Sequence, residues 1–129
     1  MNCVWVNGCF DVLHVGHIQL FKYAKRFGNY LIVGIDTDAR VKQAKGKTRP
    51  FNTLKDRVMM LESIKQVNKV VTFGTDEQLK EQILKSGAKI IVVGTEYKTK
   101  KVIGSELVDK VVFFDRIKKY STTKILENK

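Results

Sequence analysis

Five short apolar runs, at residues 4–6, 30–35, 70–73, 90–93 and 111–114, are separated by polar or amphipathic stretches long enough to hold a helix. That alternation is the pattern of a parallel sheet, because neighbouring parallel strands must be joined by crossover connections, usually helices. The intervening segments have helical periodicity. Residues 17–27 read as amphipathic, residues 53–67 put Leu54, Val58, Leu61, Ile64 and Val67 on one face, and residues 75–86 carry Leu79, Ile83 and Leu84 before the helix stop Gly87. With right-handed crossovers the expected fold is α/β, a doubly wound parallel five-stranded sheet with helices on both faces. Ligands of such a sheet bind beyond the carboxyl ends of the strands.

The first strand runs into Asn7-Gly-Cys-Phe-Asp-Val-Leu-His14 and then Val15, Gly16 and His17, a His-x-Gly-His box at a strand's end and a helix start. A helix start presents unpaired N–H groups and the positive end of its dipole, which suit a phosphate, and Gly16 would let the backbone approach it closely. His14 and His17 are the only histidines. Each can donate a hydrogen bond to a phosphoryl oxygen, and preorganised donors stabilise the charge that builds there in a transition state. Two helix-start histidines satisfied by the backbone alone are the plainer alternative. A zinc site needs more ligands, and Cys3 and Cys9, within one strand and turn, lack zinc spacing.

At 129 residues the chain suits one domain, residues 1–129, with a single core. No apolar stretch approaches the roughly 20 residues that span a bilayer, and no charged leader precedes a signal-peptide core. Two cysteines supply no disulfide framework. The expected setting is therefore cytoplasmic, without a membrane partner. Lysine and arginine number 24 against 13 acidic residues, a net +11 that asks for a polyanionic partner or an acidic substrate. A small nucleic-acid-binding module is one such reading. Against it, Phe10, Phe21, Phe27, Phe73, Phe113 and Phe114 fall mostly in apolar periodic positions, as core residues do, and form no stacking platform.

Two further segments should reach the same crevice. Residues 42–50 carry Lys42, Lys45, Lys47 and Arg49 around Gly46 and follow the Asp36-Thr37-Asp38 turn. They read as a basic loop able to fold over a triphosphate, or as a charge run that is merely solvated. Near the end of the chain, Ser121, Thr122 and Thr123 precede Lys124, Ile125 and Leu126, so a hydroxyl residue should cap a last helix whose start could hold a second phosphate.

The segments 7–17 and Ser121-Thr-Thr-Lys-Ile125 resemble the first and last motifs of the cytidylyltransferase-like nucleotidylyltransferases, and the resemblance covers nearly the whole chain. The His-x-Gly-His box also occurs in class I aminoacyl-tRNA synthetases, which are far longer. The resemblance implies a Rossmann-like fold and attack by a substrate phosphate oxygen on the α-phosphorus of a nucleoside triphosphate. Pyrophosphate leaves, and no covalent enzyme intermediate forms. Mg2+ is expected on the triphosphate, with ATP or CTP as substrate. Residue by residue, His14 and His17 would stabilise the pentacoordinate α-phosphoryl group. Ser121, Thr122 and Thr123 would contact the β and γ phosphates, and Gly8, Phe10 and Asp11 would shape the first phosphate loop. Lys45 or Lys47 would match a mobile-loop lysine, and Arg57 an arginine near the triphosphate. Asn7, Gly16, Gly94 and Arg116 join the nucleotide-binding positions, while Lys98 and Asp36 fall to the acceptor.

The subfamily signals divide. Gly46-Lys-Thr-Arg-Pro50 with Asn52 and Arg57, and Tyr97-Lys98 followed by Ile103-Gly104-Ser105-Glu106, resemble the adenylyltransferases that activate heptose 1-phosphate for lipopolysaccharide synthesis. Arg116 resembles the arginine that precedes the last motif in glycerol 3-phosphate cytidylyltransferases. That group's Arg-Tyr-Val-Asp signature is replaced here by Lys65-Gln66-Val67-Asn68, and Lys119 stands where both groups commonly have glycine. The count of matches favours the sugar-phosphate adenylyltransferase type. The resemblance also implies a homodimer and a separate kinase that makes the acceptor phosphate.

Overall fold

The computed structural model describes residues 2–94 and 100–115. Its elements follow the order β1 (Cys3–Gly8), α1 (Val15–Ala24), β2 (Tyr30–Asp36), α2 (Asp38–Lys45), α3 (Leu54–Glu62), β3 (Lys69–Phe73), α4 (Asp76–Ser86), β4 (Ile90–Gly94) and β5 (Lys110–Phe114). All strand pairs are parallel and the sheet order is β3-β2-β1-β4-β5. The α/β Rossmann-like sheet expected from the apolar runs is therefore present, with every expected strand found and extended by one to three residues.

Alternation along the strands divides the interior in two, where the sequence suggested a single core. Val4, Val6, Leu31, Val33, Ile35, Val92 and Val112 pack with Phe21, Ala24 and Leu61 of α1 and α3 on one face of the sheet. Trp5, Ile32, Ile91 and Val93 pack with Leu79 and Ile83 of α4 on the other. Gly34 has to be glycine because the Trp5 ring occupies the place of its Cβ. Of the six phenylalanines read as core, Phe10, Phe21 and Phe73 are buried, and Phe27, Phe113 and Phe114 pack half-buried against the two clusters.

Three helical expectations need correction. The first helix begins at Val15 and gives way after Ala24 to a 3-10 turn, Lys25–Phe27. α3 stops at Glu62 instead of residue 67, because Ser63 turns back on the helix: its N–H and its Oγ both donate to the Met59 carbonyl, at 3.2 and 2.9 Å. Ile64 and Val67 still reach the core, but through i+3 turns onto Leu61 and Ile64. Finally, Lys42 and Lys45 belong to a helix and not to a loop. The Thr37 hydroxyl caps α2 by accepting from Arg40 N–H, Asp38 sits in the first turn, Lys42 and Lys45 in the last, and Gly46 ends it with φ 101°. Each charge complements the helix dipole.

The departure at Asn68 proves remote from the crevice. Its Oδ1 accepts from the Leu31 N–H at 2.8 Å and from Lys25 Nζ at 2.7 Å, tying β3 to the amino end of β2. Among the described residues, no helix is long and apolar enough to cross a membrane.

Candidate active site

The sheet splits where its strand order reverses. β1 pairs with β2 as far as Gly8 and β4 pairs with β5 as far as Gly94, but β1 and β4 pair only at Val4 with Ile90 and Trp5 with Ile91. Beyond those residues the two central strands open a crevice at the switch point. A cavity of about 440 Å³ fills it, walled by Val6, Asn7 and Gly8 of β1 and by Val92, Val93 and Gly94 of β4. That volume lies within the usual range for small-molecule sites.

His14 and His17 face each other across the start of α1. His14 is the N-cap, and its Nδ1 accepts the Gly16 N–H at 3.1 Å, while the Nδ1 of His17 accepts the His14 N–H at 3.2 Å. This reciprocal capping box uses two imidazoles where a hydroxyl and a carboxylate are more common. A ring nitrogen that accepts an N–H carries no proton, so a neutral imidazole held this way has its proton on Nε2. Both rings thus act as Nε2–H donors, with centroids 3.9 Å apart at the cavity wall. Phe10 packs against the second of them. It takes φ 49°, a region costly for a bulky residue, and buries its ring edge-on to His17 at 5.4 Å and against Phe21 at 5.3 Å. Its ring also leaves a Cβ at Gly8 only 3.2 Å of clearance.

Asn7 lines the cavity too. The Trp5 indole N–H donates to its Oδ1 at 2.9 Å, which leaves the Nδ2 hydrogens as the donors that Asn7 can offer.

Asp11 is engaged by the protein's own donors. Its side chain is 1% exposed, and its Oδ2 accepts from Arg49 Nε at 3.0 Å and Phe51 N–H at 2.6 Å, its Oδ1 from Asn52 N–H at 2.7 Å. Both oxygens are spent on residues 49–52, so Asp11 shapes the site by stapling that segment to the first loop. Burial alone would raise its pKa, but the Asn52 and Phe51 N–H groups and Arg49 outweigh it and hold the carboxyl below its ordinary value. The unfolded chain then binds more protons than the folded one, so this contribution to stability is complete above the ordinary carboxylate value, about 3.9. It is lost as pH falls through the lowered folded value. Asp11→Asn, which turns an amide toward these donors, should cost about 2–4 kcal/mol at pH 7. In thermal melts the gap to wild type should close under acid; a constant gap would contradict the assignment.

Arg57, expected near the triphosphate, is not among the described residues that line the cavity. It is 1% exposed. Its Nε donates to the Asn52 carbonyl at 3.1 Å, its Nη1 to the Cys9 and Asp36 carbonyls at 3.1 and 2.8 Å, and its Nη2 to Asp38 Oδ1 at 2.6 Å. It therefore joins the carboxyl ends of β1 and β2 to the starts of α2 and α3. Burying a guanidinium is tolerable only with its hydrogens so occupied.

Of the residues singled out from the sequence, Asn7, Gly8, Phe10, Asp11, His14, Gly16, His17, Asp36, Lys45 and Gly94 line the cavity. Lys45, at the end of α2, reaches it and Lys47 does not. Lys98, Arg116, Ser121, Thr122 and Thr123 lie outside the described residues. Cys9, Arg40 and Lys101 also line the cavity, and no motif or spacing singles them out. Arg40 stands over the Phe73 ring at 5.2 Å and pairs with Asp76 at 2.7 Å and Asp36 at 3.9 Å. Asp36 is pushed up by burial, against the pull of Arg40, Lys45 and Arg57, and the Cys9 thiol is likewise raised by burial. Among the described lining residues, the cations Arg40, Lys45, Arg49 and Lys101 face the carboxylates of Asp11 and Asp36. With Asp11 committed to the 49–52 segment, the cavity favours an anion. Among the described residues, no group of three or more His, Cys, Asp or Glu could hold a metal ion.

The chain resembles a solved lipopolysaccharide core biosynthesis protein from Thermoplasma volcanium in fold, with a TM-score of 0.76 at 23% identity, over 91% of this chain and 98% of that one. It is 42% identical over 125 residues to the bifunctional protein HldE of Helicobacter hepaticus and 44% identical over 124 residues to that of Campylobacter jejuni subsp. doylei. These alignments take in 97% and 96% of the chain but only 26% and 27% of the relatives, so the chain spans about a quarter of their length. The family model for cytidylyltransferase-like proteins matches residues 5–128. With the switch-point cavity and the paired imidazoles at its wall, this match means that the chain belongs to the cytidylyltransferase-like family of nucleotidyltransferases.

Proposed function

We propose that the chain transfers a nucleoside monophosphate from a nucleoside triphosphate to a small phosphorylated sugar or polyol. The observation that carries this reading is the pair of Nδ1-anchored imidazoles at the amino end of α1, inside a basic cavity. An acceptor phosphate oxygen forms a bond to the α-phosphorus while the bond to the α–β bridging oxygen breaks, and pyrophosphate departs with that electron pair. The Nε2–H groups of His14 and His17 donate to the α-phosphoryl oxygens as negative charge concentrates there. Lys45 and the N-terminus of α1 offset the charge of the phosphate chain, and Asn7 and Gly94 border the nucleotide. Mg2+ arrives as part of the triphosphate substrate. This is catalysis by positioning and charge stabilisation more than by proton transfer.

ATP with heptose 1-phosphate, giving an ADP-heptose, is the favoured pair. It rests on the resemblance of residues 46–57 and 97–106 to heptose 1-phosphate adenylyltransferases and on the similarity to proteins named HldE. In this reading Lys98 and Asp36 serve the acceptor, Ser121, Thr122, Thr123 and Arg116 the triphosphate, and the working form is a homodimer supplied by a separate kinase activity. Arg116 supports the alternative, CTP with glycerol 3-phosphate. Pyrophosphate release, measured with Mg2+ and each triphosphate against heptose 1-phosphate and glycerol 3-phosphate, separates the two. Turnover with ATP and the sugar 1-phosphate is expected; turnover only with CTP and glycerol 3-phosphate would select the alternative, and none with any pair would overturn the proposal.

A further inference from the structure

Arg49 is held in place from three sides. Its N–H donates to the Gly46 carbonyl at 3.2 Å, its own carbonyl accepts from Lys42 Nζ at 3.2 Å, and its Nε donates to Asp11 Oδ2 at 3.0 Å. The pairing with Asp11 is one-pronged, because Phe51 N–H shares that oxygen and the other oxygen is taken by Asn52 N–H. Arg49 Nη2 is left buried with no hydrogen-bond partner, in a residue that lines the cavity with His14, His17 and Lys45. A buried guanidinium nitrogen in that condition costs stability unless an acceptor meets it. Asp36, the one other carboxylate among the described lining residues, lies 3.9 Å from Arg40.

We propose that Arg49 is a substrate-binding residue whose Nη2 takes a phosphoryl oxygen of a phosphate ester or anhydride. Asp11 fixes the guanidinium in advance, so the ligand meets a donor whose side-chain entropy is already lost. The inference rests on the nucleotidyl-transfer reading for the identity of its ligand. Two sources carry that chemistry, the triphosphate and the acceptor phosphate, and the test has an arm for each.

Calorimetric titrations of wild type, Arg49→Gln and Arg49→Lys use Mg·ATP and Mg·CTP in one arm, and heptose 1-phosphate and glycerol 3-phosphate in the other. Melting of each ligand-free protein is followed alongside. Arg49→Gln leaves Asp11 its two backbone donors, so the ligand-free protein should remain folded. Lysine keeps the charge, but its one nitrogen cannot serve Asp11 and a ligand in the geometry of the fork. Both variants should weaken one arm by about tenfold or more and leave the other within about twofold, and the weakened arm names the source. Binding within twofold of wild type in both arms would overturn the proposal. So would equal weakening of both arms together with a lowered ligand-free melting temperature, which is the mark of a merely structural arginine. A wild type that binds neither class also overturns it. Pyrophosphate release by wild type, assayed in parallel, keeps the two claims apart. Arg49-dependent binding without turnover would remove the transferase reading and leave this one, whereas turnover with Arg49-independent binding would do the reverse.

Discussion

Replacing His14 or His17 by alanine should lower kcat for pyrophosphate release by about 10²-fold or more, the scale of losing one preorganised donor to a transition-state charge. Alanine also removes a cap, because the Nδ1 of each ring accepts a backbone N–H at the start of α1. Losing a cap costs about 1 kcal/mol of stability and would confuse the result. His14→Asn and His17→Gln separate the effects. Asparagine is a good N-cap, and glutamine suits the third helical position of a capping box, yet neither places an imidazole Nε2–H at the cavity wall. These two variants should melt close to wild type and remain as slow as the alanine variants. Recovery of the rate together with stability would mean that the box is a helix cap and nothing more.

The largest expected loss of stability follows from Arg57→Met, which keeps much of the side-chain volume and removes every donor. It strands the carbonyls of Cys9, Asp36 and Asn52 in a buried setting and should cost about 3–5 kcal/mol. In thermal melts this corresponds to a fall of roughly 10–20 °C. Asp38→Ala should cost far less, about 1 kcal/mol or below, because its side chain is 40% exposed and solvent screens its share of the pair. Equal losses in the two variants would mean that the ion pair, and not the set of carbonyls, is what Arg57 supplies.

Why is Arg57 legible as a special position while its contacts are not? Its partners are mostly main-chain carbonyls, and those of Cys9 and Asp36 are 48 and 21 residues away. Nothing in side-chain spacing reports a main-chain acceptor. The strands were legible because each is an apolar run that the sheet buries, and the box because a strand's end and a helix start coincide at one cluster of unusual residues. α2 was missed for the opposite reason. Val41 is its one buried residue, so the helix rests on Thr37, Asp38 and its terminal lysines and has no apolar stripe. The same holds for Arg40 and Lys101, since a basic residue on a helix or loop carries no sign of which wall it will line. The end of α3 was overrun because Ile64 and Val67 keep the helical spacing of their contacts while the backbone changes form.

In the proposed reaction the bond broken lies between the α and β phosphates, and the α-phosphoryl group passes to an acceptor at His14 and His17. Following the label from an α-32P nucleoside triphosphate, with heptose 1-phosphate present, tests this directly. Label in a sugar nucleotide, unlabelled pyrophosphate in equal amount, and loss of both in His14→Asn are expected. Label recovered as nucleoside diphosphate, with orthophosphate or a doubly phosphorylated sugar as the companion product, would place the break at the γ phosphate and contradict it.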